Sequence, residues 1–136
     1  MKLKILVTGD RTWSDSVKII DAYEMVCEKF GVQATEVWVI HGAARGADTL
    51  AAQLAEELGM TAIPYPAHWC HTKYCSPKCR RMVGRPAGVI RNQQMLDENP
   101  DIQFALAFHS DLAHSKGTKD MVNRLEKAKI PYCHYK

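Results

Sequence analysis

One stretch constrains the fold more than any other: a continuous apolar run that leads through a glycine-bearing turn into an alanine-rich helix pattern. Residues 36–40 have the pattern of a strand buried on both faces, and the turn at 41–46 carries two glycines. Residues 46–58 then repeat Ala and Leu at helical spacing. Such a unit directs backbone N–H groups and the positive end of the helix dipole at one position. We therefore predict that the turn binds an anion.

The same alternation recurs along the chain. Further strands are predicted at 4–7, 60–65, 102–108 and 130–134, and further helices at about 15–30, 88–98 and 116–128. Ser14 is the predicted N-cap of the first helix, Gly31 its predicted end, and Pro64 places the third strand at or near a sheet edge. We predict an α/β fold, a Rossmann-like three-layer sandwich with a mainly parallel sheet of about five strands and helices on both faces.

Size and composition predict a single domain over residues 1–136. A chain of 136 residues with 46% hydrophobic content is long enough for one core and too short for two. It has no apolar run of about 18 residues and no signal-peptide pattern, so we expect a cytoplasmic protein without membrane contact. Between Leu58 and Leu96 the chain has no Asp or Glu but six basic residues, which favours a local anionic partner over a merely basic solvated loop.

Three loops at 8–14, 41–46 and 109–118 follow predicted strands and should meet at one edge of the sheet. Their glycines allow close backbone approach, and their basic side chains suit phosphate. Alternatives remain open: Gly9 serves packing, Asp48 is a helix-start residue, and Ser115 is a helix cap. The predicted ligand-binding residues in the loops and adjoining helix starts are Gly9, Asp10, Arg11, Gly42, Arg45, Gly46, Asp48, Lys116, Gly117 and Thr118, joined by Arg91 and Asn92.

Three segments, 42–48, 91–96 and 116–121, together resemble the SLOG superfamily of Rossmann-like domains. That superfamily includes the lonely-guy cytokinin-activating phosphoribohydrolases, the DNA-processing protein A family, and small stand-alone bacterial and phage domains. The similarity covers roughly residues 3–130 and is greatest with the stand-alone domains.

The resemblance implies a phosphate site and a candidate active site. Lonely-guy enzymes cleave a nucleoside 5′-monophosphate with an arginine in Arg-x-x-x-Met and a glutamate in Gly-Gly-x-Gly-Thr-x-x-Glu. Arg91 with Met95 matches the first motif, and Gly117-Thr118 matches part of the second. The glutamate position holds Met121, so the neighbouring Asp120 becomes the candidate catalytic acid beside Arg91, although one residue turns a helical side chain by about 100°.

The segment at 67–88 interrupts the alternation and is rich in cysteine, histidine and basic residues. Cys70, Cys75 and Cys79 with His71 (or His68) would supply the four ligands of a structural zinc, although the spacing is looser than two C-x-x-C pairs. Free thiols and a disulfide are the alternatives. The cofactor that this segment predicts is a structural zinc.

Three function classes follow from these residues. The first is binding of a small nucleotide-like molecule through its phosphates, and the second is a phosphoribohydrolase-like activity. The third, less favoured, is single-stranded nucleic-acid binding, with Trp69 and Tyr74 as stacking platforms. Related domains pair through their helices, and by that analogy a second copy of the chain is a further predicted partner, giving a homodimer.

Overall fold

The computed structural model describes residues 2–67 and 85–136, and of residues 85 and 86 the backbone alone. Within these residues the strands are β1 (Leu3–Gly9), β2 (Val37–His41), β3 (Thr61–Pro64), β4 (Ile102–Phe108) and β5 (Tyr132–Tyr135). The helices are α1 (Ser16–Phe30), α2 (Ala47–Glu57), α3 (Arg85–Glu98) and α4 (Gly117–Lys127), with short 3-10 turns at Ala34–Glu36 and Leu112–His114.

The strands form one parallel sheet in the order β3-β2-β1-β4-β5. The chain first builds outward from β1 to β3, then returns to the other side of β1 with β4 and β5. Strand order therefore reverses between β1 and β4, and ligands in open α/β sheets bind beyond the carboxyl ends of the strands at such a point. The predicted fold is confirmed, and β3 with Pro64 is an edge strand as expected.

Helices cover both faces of the sheet. On one face α1 and α2 pack through Tyr23 and Ala51 against Val7 and Val39. On the other face Met95 of α3 and Met121 of α4 pack against Leu6 and Ile40. Alternate residues of β1 and β2 thus point into two separate cores, which explains why their sequences are apolar throughout.

Two element boundaries differ from the prediction. Asp15, not Ser14, caps α1, because its Oδ1 accepts the N–H of Lys18 at 3.2 Å. Helix α3 begins at Arg85, inside the segment predicted to be irregular at 67–88. Gly31 ends α1 in the left-handed conformation (φ 63°), as predicted. None of the helices in the described part of the chain is both long and apolar enough to cross a bilayer.

Candidate functional site

The loop after β1 and the turn before α2 are locked together. The N–H of Ala47 donates to the carbonyl of Asp10 (2.9 Å), and a Cβ on Gly46 would overlap that same carbonyl. Gly46 also has φ +77°, a conformation that favours glycine. At Gly9 an added Cβ would lie 2.5 Å from the Cβ of Ala47. Gly9 and Gly46 therefore let protein pack against protein, which was the alternative left open for Gly9.

The anion that the 41–46 turn attracts is the protein's own Asp48. One carboxylate oxygen, Oδ2, accepts the N–H groups of Gly42 (3.0 Å) and Ala44 (3.3 Å). The side chain is buried, and burial raises the pKa of Asp48 to about 6 against the opposing effect of these N–H groups and of Arg91. Two N–H groups of the turn thus already donate to a carboxylate of the protein, and the external anion predicted for this turn stays a prediction.

Arg91 reaches from α3 into the same turn. Its Nη1 donates to the carbonyls of Gly42 and Tyr65, and its Nε donates to Asn92 Oδ1 (3.1 Å). A Cβ on Gly42 would lie 2.5 Å from Nη1, so the glycine makes room for the guanidinium. Nη2 has no hydrogen-bond partner among the described residues, and Arg91 lines two adjoining cavities at this edge of the sheet.

His41 is buried under the turn and stays neutral. Burial, followed by the positive charge of Arg91, lowers the pKa of His41. Its Nδ1 accepts the N–H of Ala43 at 3.0 Å, which requires that nitrogen to be unprotonated. His41 therefore supports the turn and adds no charge to it.

The loop before α4 is different, because it leaves open space. Nothing lies within 4 Å of the position that a Cβ on Gly117 would take. Ser115 Oγ accepts the N–H groups of Thr118 (3.1 Å) and Lys119 (3.4 Å), so Ser115 acts as the helix cap that the sequence allowed as an alternative. The N–H of Gly117 has no partner within the described ranges. Backbone and helix dipole are accessible here.

These loops surround a cavity of about 390 Å³ that we call the edge cavity. Ten of the twelve predicted ligand-binding residues line it: Gly9, Asp10, Arg11, Gly42, Asp48, Arg91, Asn92, Lys116, Gly117 and Thr118. Gly46 lies behind the wall, and Arg45 lines an adjoining cavity of about 310 Å³ that shares Arg11 and Arg91 with the edge cavity. Most residues that line the edge cavity were thus among those predicted from the sequence.

Positive charge dominates the cavity wall. Arg11 and Lys116 are exposed and have no ion-pair partner among the residues that the structure describes, and Arg11 lies close enough to lower the pKa of Arg91. Burial is the larger cause of that lowered pKa, but an arginine remains protonated at any physiological pH. The hydroxyls and N–H that surround Asp10 (the Thr12 N–H first, then the hydroxyls of Thr12 and Ser110) lower its pKa and hold it as a carboxylate.

Asp120, the predicted catalytic acid, does not line the edge cavity. Its Oδ2 accepts from Asn92 Nδ2 (3.0 Å) and from Arg124 Nε (2.8 Å). The residue lines a larger, separate groove of about 1060 Å³ together with Asn99 and Pro131. The one-residue offset from the glutamate position of the lonely-guy motif therefore turns this carboxylate away from the cavity.

Asn92 connects the two arrangements. Its Oδ1 accepts from Arg91 Nε, while its Nδ2 donates to Asp120 Oδ2 and to the carbonyl of Gly117 (3.3 Å). One buried amide thus fixes the arginine of α3 relative to the first turn of α4.

Comparisons of the sequence with known proteins show the family of the chain. The family model described as "YspA, cpYpsA-related SLOG family" matches residues 3–71. The gene 61 protein of Mycobacterium phage D29 is 31% identical over 139 residues, which cover 97% of this chain and 95% of the phage protein. The chain belongs to this SLOG family. The family match contains the first two loops of the edge cavity, and the similarity to the phage protein extends over the third.

One polar side chain that lines the edge cavity of this SLOG domain, His109, was not among the predicted ligand-binding residues. His109 is the first residue after β4 and lines the edge cavity beside Lys116. Its Nδ1 accepts the N–H of Asp111 at 2.9 Å. Its place directly after a buried strand was the available signal, since residues at that position face the carboxyl edge of the sheet.

The predicted zinc ligands Cys70, His71, Cys75 and Cys79 lie outside the described residues, as do Trp69 and Tyr74. Among the described residues no group of three or more His, Cys, Asp or Glu is placed to hold a metal ion. The structural zinc therefore stays a prediction, which metal analysis of the purified protein would test.

Proposed function

We propose that the protein binds a nucleotide or a nucleotide-derived, phosphate-bearing ligand in the edge cavity. One observation carries the proposal: Arg11, Arg91 and Lys116 line the same cavity as the open backbone of Gly117, at the point where strand order reverses. The three cations outnumber Asp10 and Asp48, the two carboxylates of the same wall, so a bound anion would stabilise them. Phosphate also accepts hydrogen bonds from the N–H groups of a helix start.

The size of the cavity agrees with a ligand larger than inorganic phosphate. Small-molecule sites occupy about 300–1,000 Å³, and the edge cavity, at about 390 Å³, lies in that range before the adjoining cavity is added. The phosphate would lie near Gly117 and Lys116, and the rest of the molecule would extend along Arg91 and Asp48. Membership of the SLOG family supports the same assignment.

Calorimetric titration with inorganic phosphate, nucleoside 5′-monophosphates and nucleoside diphosphates tests the proposal. Arg11→Ala is the informative variant, because Arg11 is exposed and has no hydrogen bond or ion pair among the described residues. We expect its dissociation constant for the best ligand to rise about tenfold, as for loss of one hydrogen bond to a charged group.

Lys127→Ala is the matched control, since it removes one exposed positive charge from α4 away from the edge cavity. It should leave the dissociation constant within about twofold, because exposed charges beyond a Debye length of roughly 8 Å are largely screened. Equal effects of both substitutions, or no binding of any phosphate compound to the natural sequence, would refute the proposal. Native mass spectrometry of the same preparations would also report whether the predicted homodimer forms.

N-glycosidic cleavage is not part of the proposal. The carboxylates available for acid or base catalysis already accept hydrogen bonds within the protein: Asp10 from Thr12 and Ser110, Asp48 through Oδ2 from the 41–46 turn, and Asp120 from Asn92 and Arg124. Incubation with the four nucleoside monophosphates and a search for free base tests the point. Base release that is lost in Asp120→Asn would establish the enzyme alternative.

A further inference from the structure

Asp48 holds an atom that the fold leaves without a partner. The side chain is 5% exposed and its Oδ2 is fully used by the N–H groups of Gly42 and Ala44. Its other oxygen, Oδ1, is buried and accepts no hydrogen bond from any described residue. A buried carboxylate oxygen in this condition is costly, and such groups in native proteins have a reason.

The position of Asp48 indicates what that reason is. The residue lines the edge cavity together with Arg91 and with Gly117, whose backbone has open space beside it. Because the cavity wall contains both the cations and this carboxylate, a ligand that enters with its phosphate toward Gly117 brings its next chemical group toward Asp48.

We infer that Oδ1 of Asp48 accepts a hydrogen bond from a sugar hydroxyl of the bound ligand, so that the edge cavity selects ribonucleotides over deoxyribonucleotides and over bare oxyanions. This inference rests on the proposed nucleotide-binding function. It assigns the two ends of the cavity to two parts of one molecule: phosphate at Gly117 and ribose at Asp48.

The chemistry of the wall excludes the other common partners of a carboxylate. A cationic group of the ligand would meet the positive charges of Arg11 and Arg91, which share this wall. A second anion would meet the charge of Asp48 itself. A neutral hydroxyl is attracted by both, since it donates to the carboxylate and accepts from a guanidinium. Carboxylates at the edge of other parallel sheets bind ribose hydroxyls in this way.

The ionisation of Asp48 is consistent with an acceptor role. Burial raises its pKa to about 6, so at pH 7.5 the group is a carboxylate with lone pairs to accept a hydroxyl. Below pH 6 the protonated group would lose this capacity in part.

The first test uses the natural sequence and changes only the ligand. Dissociation constants are measured at pH 7.5 for adenosine 5′-monophosphate, its 2′-deoxy and 3′-deoxy counterparts, and inorganic phosphate; if another base binds better, its matched set replaces them. We expect one of the deoxy compounds to bind about tenfold more weakly than the ribonucleotide, the loss of one charge-assisted hydrogen bond. Equal affinities of all three nucleotides would overturn the inference and leave the proposed phosphate binding intact.

The second test uses Asp48→Asn, which keeps one carbonyl oxygen for Gly42 and Ala44 and replaces Oδ1 by an NH₂ donor. The variant should bind the ribonucleotide and the deoxy compound equally. It should bind inorganic phosphate as tightly as, or a few times more tightly than, the natural sequence, because a negative charge has left the wall.

A variant that loses affinity for phosphate and ribonucleotide by the same factor would show that Asp48 acts through the turn alone, and would overturn the inference. Failure of the natural sequence to bind any phosphate compound would instead refute the proposed function on which the inference rests. If Asp48→Asn does not fold, the ligand series on the natural sequence decides by itself.

Discussion

Two strand-to-helix turns lie at the same edge of the sheet and solve the same problem in opposite ways. The β2–α2 turn at 41–46 uses its own carboxylate, Asp48, to accept the N–H groups of the turn. In the β4–α4 turn at 109–117 the N–H groups of the first turn of α4 donate to the neutral hydroxyl of Ser115, the Asp111 carboxylate bonds His114 instead, and space is left at Gly117. The comparison teaches that a glycine-bearing turn before a helix leaves its N–H groups open to an external anion only where the protein does not supply a carboxylate of its own.

The largest expected effect contrasts the glycines of the two turns. Gly46→Ala forces a Cβ into the backbone of Asp10 and Arg11 at φ +77°, and we expect the free energy of unfolding to fall by about 3 kcal/mol or more. Gly117→Ala enters open space at the start of a helix and should change stability by less than about 1 kcal/mol. Urea denaturation measures both. Similar decreases in the free energy of unfolding of the two variants would contradict the proposed difference between the turns.

A second prediction concerns how the stability of the β2–α2 turn depends on pH. The folded pKa of Asp48, about 6, lies above its ordinary value of 3.8, so folding favours the protonated form. The contribution of Asp48 to the free energy of unfolding is fully present below pH 4. It falls by about 2–3 kcal/mol as the pH rises to 6. The difference in unfolding free energy between the natural sequence and Asp48→Asn should follow this curve. A difference that stays constant from pH 4 to pH 7 would contradict the buried, ionisable carboxylate.

A third prediction addresses the β4–α4 turn. Ser115→Ala removes the acceptor of the Thr118 and Lys119 N–H groups and should lower the free energy of unfolding by about 1 kcal/mol. The freed N–H groups can then donate to a bound anion, so saturating phosphate should recover much of the loss. Melting temperatures with and without phosphate measure this. A loss that phosphate leaves unchanged would place the bound anion away from this helix start.

The smallest expected effect concerns Asp120 as a positioning residue. Asp120→Asn weakens its bonds to Asn92 and Arg124, so we expect about 1 kcal/mol less stability and an affinity for the best nucleotide lowered about threefold. Asp97→Asn is the control, because Asp97 is exposed on α3 and bonds only Gln93 among the described residues. Equal affinities of the two variants would show that Asn92 holds Arg91 without help from Asp120.

The fold was predictable because its strands carry the simplest pattern in the chain. Ile5, Leu6 and Val7 are all buried since they point alternately into two cores, so the run reads as a parallel strand without any structural knowledge. The meeting of three loops at one edge followed from that topology. The N-cap of α1 was misplaced by one residue because Ser14 and Asp15 are both good caps, and the choice depends on the backbone path.

The details of the site were less accessible. That Asp48 belongs to the turn depends on where its side chain meets Gly42 and Ala44, and sequence spacing alone describes a helix-start carboxylate equally well. The direction of Asp120 depends on the rotation of α4, which a shift of one residue changes by about 100°. Such outcomes are decided by three-dimensional packing and not by residue type.

Arg91 has a consequence for the chain between β3 and α3. Its guanidinium bonds the carbonyl of Tyr65, and Asn99 bonds the hydroxyl of the same tyrosine at 3.1 Å. Tyr65, the residue that directly follows β3, is therefore held both by the middle of α3 and by the residue that follows α3. Because doubling the length of a flexible loop costs only about 0.6 kcal/mol, we expect insertions between β3 and α3 to leave the bonds of Arg91 to Gly42 and Tyr65, and with them this wall of the edge cavity, unchanged.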